Sequence, residues 1–251
     1  MRRYDKDYVD TVTRIREGAI GDVVAARCYW NNKGVWVKPR KPGQSEMEYQ
    51  CTNWYYFTWL SGDHIVEQHI HNLDVINWIL GSHPLKAEAV GGRQVRTGPE
   101  FGMIYDHFAV DFTYPNDVHL SSMCRHWEGG DHRNVGEAVV GTKGTSDCNK
   151  IIKTYDGKEW KASGGGRNPY VEEHAALIAA IREGKQRVEV EDVAYSTLTA
   201  IMGREAAYTG EILEWDSFLQ SPMSLVPDPI DFTMEPPAAK TPIPGRKAKK
   251  K

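Results

Sequence analysis

Glu67, His71, Asp74 and Trp78 follow one another at steps of four, three and four residues. On a helix turning about 100° per residue, that spacing sets a carboxylate, an imidazole, a second carboxylate and an indole in one row. A carboxylate and an imidazole one turn apart can share a proton near neutral pH, which is the equipment of general acid–base catalysis. His64, one turn before Glu67, extends the row. His64, His69 and His71 place three imidazoles within eight residues, so a metal held by His64, Glu67 and His71 is a second chemistry to weigh. Against metal stand the lack of an HExxH arrangement and of any cysteine pair at zinc spacing. The plainest alternative is a polar helix face whose histidine is satisfied by its carboxylate.

The element that must carry these groups runs from Gly62 to Gly81. Ile65 or Val66, Ile70, Leu73, Ile76 and Leu80 recur at helical steps and predict one buried face. Asp63 is placed to cap the first amides, and Gly81 with Pro84 beyond it marks the stop. Just before it, Asn53 to Trp59 packs five aromatics into seven residues. Core packing explains such a run. So does a sugar platform, since aromatic faces stack on the C–H faces of pyranose rings, with Trp54 and Tyr56 as the candidates.

Around this centre the chain reads as helix, strands, then helices. Residues 5–17 form a helix with Val9, Val12 and Ile15 on one face, ended by Gly18. Val23 to Trp30 is a strand, and 31–50 a long loop of the kind that often carries function. Lys86 to Val95 is a strand. Phe108, Val110, Phe112 and Tyr114 alternate with polar residues, and Val118 to His126 returns after the turn at Pro115-Asn116-Asp117. Arg125 and His126 at its end are candidate substrate contacts, Arg125 through carboxylate or hydroxyl groups. Glu128 to Asn134 is a polar loop, Val135 to Val140 a strand, and Asp156-Gly157 a hairpin turn. Asn168 caps and Pro169 opens a helix with Leu177, Ile178 and Ile181 as its apolar face; a second runs from Asp192 to near Gly210. The expected architecture is α+β, an open, mostly antiparallel sheet with helices on one face, over residues 1–222. Residues 223–251 form a proline-rich tail with a basic end, extended or disordered.

Composition narrows the classes. Of 251 residues, 40% are hydrophobic and 26% charged, which describes a chain with an adequate core and a solvated surface. A net charge of −3 argues against general binding to nucleic acid or membrane surface. Four scattered cysteines without a CxxC read as free, mostly buried thiols. No signal peptide or membrane-spanning run is visible, so the chain as it stands is expected in the cytoplasm, unless an export signal lies upstream.

These residues also carry a resemblance. Glu67-Gln68-His69-Ile70-His71 followed by Trp78-Ile79-Leu80-Gly81 resembles the Asp-x-x-x-His and W-L-L-G-like helix of the Gfo/Idh/MocA oxidoreductases, relatives of glucose–fructose oxidoreductase and inositol dehydrogenase. His71 falls on the family's catalytic histidine, and Glu67 on its aspartate, one methylene longer. The stretches 8–31, 168–185 and 192–209 look like the family's helix–strand passage and closing helices. The likeness covers residues 2–220 and is strongest to the bacterial branch with the WYYFTWLSGDHI run. It implies a substrate and oligomerisation domain, sugar or polyol substrates, NAD or NADP as cofactor, and a homo-oligomer through the sheet. Asp63, His64 and His126 join the substrate contacts on the same ground.

Two family features are missing. No G-x-G-x-x-G opens a helix after a strand, and the Glu-Lys-Pro motif has no counterpart. The cofactor is therefore expected to bind outside this chain, which would be a truncated product, an excised domain or a domain put to another use. Three functions follow from that: the substrate-binding and catalytic half of an oxidoreductase, a lyase or glycoside hydrolase using Glu67 and His71, or a sugar-binding or assembly module. The apolar side of the 106–114 strand is the expected oligomer surface.

Overall fold

The computed structural model describes residues 1–129, 133–228 and 231–245. Its elements in chain order are α1 (Lys6–Arg16), β1 (Val23–Asn32), α2 (Glu46–Thr52), the single turns α3 (Thr58–Ser61) and α4 (His64–Glu67), and α5 (Ile70–Leu80). Then come β2 (Lys86–Gly92), β3 (His107–Tyr114), β4 (Val118–His126), β5 (Asn134–Gly141), β6 (Gly144–Ser146), β7 (Ile151–Thr154) and β8 (Glu159–Lys161). The chain closes with α6 (Pro169–Arg182), α7 (Val190–Thr209), β9 (Leu213–Glu214) and α8 (Trp215–Leu219).

The strands form one open nine-stranded sheet in the order β8-β7-β6-β5-β1-β4-β3-β2-β9. Every pairing is antiparallel except β1 with β4. This is the expected α+β architecture. Period-two alternation sends Phe108, Val110, Phe112 and Tyr114 inward, where α7 crosses β2 and β3 and the Tyr114 hydroxyl reaches Asn77 of α5. The apolar side of β3 is thus buried by the chain's own helices and is not the free oligomer surface expected of it. The opposite face is open and mixed, a shallow depression lined by Glu88, Val90, Asp111, His119 and Met123.

α7 lies close on the sheet because its inner face is small: Ala200, Gly203, Ala206 and Ala207 are buried. A Cβ on Gly203 would come within 2.7 Å of the Phe112 ring. α1 docks Tyr8, Val12 and Ile15 in the same core, and Asp5 caps it.

Three expectations change. The 62–81 helix is broken. Asp63 caps one turn, and then the amides of both Gln68 and His69 point to the His64 carbonyl, at 3.0 and 3.1 Å. This widened turn resets the chain before α5. The residues buried from Ile65 onward are Ile65, His69, Asn72, Leu73, Val75, Ile76, Asn77 and Ile79, while Ile70 and Leu80 are half-buried. Three polar residues sit among them, which an apolar-period reading passes over. The 31–50 loop holds α2, fixed by a capping box between Ser45 and Glu48. α6 begins as expected at Asn168 and Pro169 but buries no residue; its stripe of Leu177, Ile178 and Ile181 faces solvent.

Beyond Pro222 the described residues hold no helix or strand. They nevertheless lie on the body. The carbonyls of Pro237 and Pro242 accept from Gln50 Nε2 (3.2 Å) and the Tyr105 hydroxyl (3.1 Å), and the Gly245 amide donates to Thr209 (2.9 Å). The basic end after Gly245 lies outside the described residues, as do Pro229 and residues 130–132 of the polar loop.

Candidate active site around His71

His71 stands in the first turn of α5, its ring centroid 6.3 Å from that of Trp30 on β1. It lines a cavity of about 480 Å³ with Arg2, Arg3, Asp74, Trp78 and Ser196, and Glu173 of α6, Arg187 and Glu189 line it as well. Four distant parts of the chain therefore meet there: the amino-terminal segment, α5, α6 and the segment that leads into α7. Asp74, one turn on, is held by Arg3 through two parallel contacts (3.0 and 2.9 Å) and by the Ser196 hydroxyl (2.8 Å). Burial lowers the His71 pKa, and the Arg2 guanidinium adds to this, while Asp74 pulls the other way. The imidazole is biased towards its neutral form, the form that can accept a proton.

The Glu67 side chain bonds elsewhere. Glu67 ends α4, and its Oε2 accepts from the Gln68 side chain at 2.5 Å; no hydrogen bond joins it to His71. The widened turn at Gln68–His69 breaks the continuous helix on which the two would have stacked. Glu67 acts instead on Tyr55, whose phenol is pushed far up, first by burial and then by this carboxylate.

Behind the cavity lies a second, fully buried polar group. Asp63 adopts φ 76°, ψ 163°, a region that favours glycine. Its Oδ1 accepts from the His64 amide (2.5 Å) and from His64 Nδ1 (2.9 Å), and its Oδ2 from the Tyr105 amide (2.9 Å) and the Tyr208 hydroxyl (2.5 Å). His64 stacks on His126, with centroids 4.3 Å apart, and His126 stacks on Tyr55. His69 reaches Ser122 Oγ at 2.7 Å. Burial drives the pKa of His69 down to about 3 and that of His126 well below the ordinary value. His64 Nε2, His69 Nδ1 and His126 Nε2 have no partner in the protein.

The remaining candidates divide. Asp63, His64, His126 and Tyr56 are inside, away from any ligand on the surface. The Tyr56 hydroxyl accepts from Arg96 (2.8 Å) and donates to the Trp36 carbonyl (2.9 Å). Trp54 is half-buried. Strand alternation puts Arg125 on the open face of the sheet, opposite in sense to His126; its guanidinium donates to the Trp127 carbonyl (3.2 Å) and lies over that ring. Among the described residues no group of three His, Cys, Asp or Glu could hold a metal. The His64, Glu67 and His71 set is not gathered, because His64 is turned inward onto Asp63. Trp36, in the segment read only as loop, is an exposed aromatic that the sequence reading missed. The four cysteines are free, and three are buried.

The profile of the GFO/IDH/MocA C-terminal domain matches residues 9–147, more than half of the chain. The chain belongs to the Gfo/Idh/MocA family. A curated relative, 2,7-anhydro-N-acetylneuraminate hydratase of Escherichia coli K12, is 28% identical over 137 residues, 55% of this chain and 32% of that protein. The aldose-aldose oxidoreductase of Caulobacter crescentus, solved with glycerol, superposes with a TM-score of 0.64 at 16% identity, over 85% of this chain and 62% of that one. An Agrobacterium radiobacter oxidoreductase solved with NAD+, L-tartaric acid and magnesium gives 0.60 at 15%, over 86% and 63%. The scyllo-inositol dehydrogenase of Lactobacillus casei gives 0.58 at 18%, over 86% and 62%. The chain thus spans about a third of the curated relative and about three fifths of these structures.

Among the described residues one stretch runs strand, glycines, α-helix: β8, Gly164–Gly166 and α6. β8 is an antiparallel edge strand, however, and the α6 amino terminus is already occupied: the Asn168 side chain takes the Tyr170 amide, and Pro169 has no N–H to offer. No helix of the described residues is long and apolar enough to cross a membrane.

Proposed function

We propose that this chain is the substrate-binding and proton-handling part of a sugar or polyol oxidoreductase, with His71 as the group that takes up the proton of the substrate hydroxyl. The observation that carries this reading is His71 itself: an imidazole biased neutral, with no hydrogen-bond partner, lining a cavity of about 480 Å³ at the position the family resemblance gives to its catalytic histidine. A neutral imidazole accepts a hydroxyl proton, and Asp74 is placed to favour the imidazolium that results. Arg2 is tied to the buried Glu137 carboxylate and Arg3 to Asp74 and Asp192, so the cavity wall is one of paired charges, polar enough to suit a hydroxyl-rich substrate. The hydride acceptor, NAD or NADP by family likeness, belongs to a part outside these residues. Calorimetric titration with NADH and NADPH tests this: binding weaker than millimolar is expected, and a micromolar Kd would overturn it.

The hydratase among its relatives favours a second reading, proton abstraction and return without net oxidation. Incubation with a keto-sugar in deuterated water, without nicotinamide, separates the two. Deuterium entering beside the carbonyl, and lost in His71→Ala, supports the lyase. We also place a contact between copies of the chain on the open sheet face around Val90 and Met123. A monomer by light scattering at micromolar concentration would remove it.

A further inference from the structure

Asp74 is held from two sides, through both of its oxygens. Oδ2 accepts from Arg3 Nε (3.0 Å), and Oδ1 accepts from Arg3 Nη2 (2.9 Å) and from the Ser196 hydroxyl (2.8 Å). Arg3 is itself fixed by two helices. Its Nη1 donates to Asp192 of α7 at 3.0 Å, and its guanidinium lies 5.4 Å from the Trp78 ring centroid on α5. Asp74 is the only carboxylate of α5 and stands three residues after His71, the spacing at which side chains on a helix surface meet. The two line one cavity, yet the His71 side chain makes no hydrogen bond. The planar fork of Arg3 fixes the plane of the carboxylate, which the Ser196 hydroxyl, bonded to Oδ1 alone, does not do. The other charges around His71 have partners of their own. Arg2 meets Glu137, the amino-terminal ammonium meets Glu173 of α6 (3.6 Å), and Arg187 meets Glu189 (2.7 Å). Glu67 of α4 is bonded to Gln68, and β1 brings the uncharged Trp30.

We propose that Arg3 is a positioning residue for the candidate site: by holding the Asp74 carboxylate in its fork it keeps Asp74 from hydrogen-bonding His71, and so keeps the imidazole free to accept a substrate proton. This rests on the proton-handling reading above and adds the device that maintains it. An imidazole bonded to a carboxylate is stabilised as imidazolium, and one already protonated near neutral pH accepts nothing. Held back by Arg3, Asp74 still favours the imidazolium through space once a proton has arrived.

NMR of the His71 imidazole C–H signals across pH, in the full chain, tests this for Arg3→Lys and Arg3→Ala, each alone and combined with Asp74→Asn. Arg3→Lys keeps the charge and loses the fork, so a role through charge alone leaves the midpoint where it was. With Asp74 present, the His71 midpoint is expected to rise by roughly 0.5 pH unit in Arg3→Lys and by about 1 or more in Arg3→Ala, as a carboxylate newly bonded to the imidazole requires. With Asp74→Asn, the first rise is expected to vanish and the second to fall by half or more, the remainder being the lost positive charge. An unmoved midpoint in Arg3→Lys, or rises of the same size with and without the Asp74 carboxylate, would overturn the positioning role. Arg3 is half-buried, and Arg3→Lys keeps a cation between Asp74 and Asp192, so this variant is expected to melt within a few degrees of the parent even where Arg3→Ala does not. Neither substrate nor nicotinamide enters the measurement. The positioning role can therefore fail while the oxidoreductase reading stands, and that reading fails separately in the nicotinamide titration.

Discussion

The buried histidines and His71 come from the same eight-residue stretch of sequence and have opposite lives. His64 and His69 are wholly enclosed, each with one ring nitrogen tied, to Asp63 and to Ser122. His71, two residues after His69, lines an outer cavity and its side chain makes no hydrogen bond. The first pair are enclosed by the core; the third borders open space. The difference teaches that in this chain a histidine's role follows from the direction of its Cβ after the Gln68–His69 break and not from its place in a spacing pattern. The inner set should therefore respond to substitution through stability, and the outer one through ligand and proton chemistry.

The largest effect belongs to Asp63. Its carboxylate accepts from four donors inside the core, so Asp63→Ala leaves two amides, a hydroxyl and an imidazole without their acceptor. A loss of about 3–5 kcal/mol is expected by urea unfolding. Asp63→Gly removes the same acceptor but suits φ 76°, ψ 163°, and should recover roughly 1–2 kcal/mol of that loss. Equal losses in the two variants would show that no backbone strain is stored there.

Next comes the response to acid. Burial lowers the His69 pKa from 6.5 to about 3, so between those values the unfolded chain binds a proton that the folded chain does not. By linkage, stability is full above about pH 6.5 and falls as pH drops towards 3. His126, shifted the same way, steepens the fall. His69→Gln keeps a group able to reach Ser122 and cannot titrate, so its melting temperature should decline less steeply over that range. Parallel curves for variant and parent would refute the assignment.

How much of this was legible follows from what each signal depends on. The β3–β4 pair, the Gly81 stop and the Asn168–Pro169 start depend on neighbours in sequence, and they were read. α2 had its own local signal, Ser45 three before Glu48, and was overlooked in a segment judged by its prolines and glycines. The helix break, the inward turn of His69 and the exposed stripe of α6 depend on contacts between distant parts of the chain. No periodicity reports that Ser122 waits for His69, or that α6 buries nothing on this body. The cavity was invisible for the same reason, since Arg2, Arg3 and Ser196 meet His71 only in three dimensions.

His71→Ala should therefore change stability little, by about 1 kcal/mol or less, because a half-buried ring without hydrogen bonds leaves no stranded partner. Thermal unfolding of this variant beside Asp63→Ala gives the contrast directly. A loss of several kcal/mol in His71→Ala would move His71 to the structural set.

The smallest effects discriminate most finely, and they are shifts in the His71 titration followed by NMR of the imidazole C–H signals. The charges that act on this ring are Arg2 and the amino-terminal ammonium, which lower its pKa, and Asp74, which raises it. Arg2→Ala should raise the titration midpoint, because a nearby positive charge no longer opposes the imidazolium, although it also costs stability by leaving the buried Glu137 without its cation. Asp74→Asn should lower it, because the compensating carboxylate is gone. Glu67→Gln is expected to leave it almost unmoved: no hydrogen bond joins the two groups, and Glu67 spends its charge on Gln68 and Tyr55. A paired carboxylate would behave differently, since removing its charge from a hydrogen-bonded imidazole lowers the pKa by about 1 unit or more. A drop of that size in Glu67→Gln would restore the Glu67–His71 pair as the proton-transfer unit and demote Asp74 to a support for Arg3.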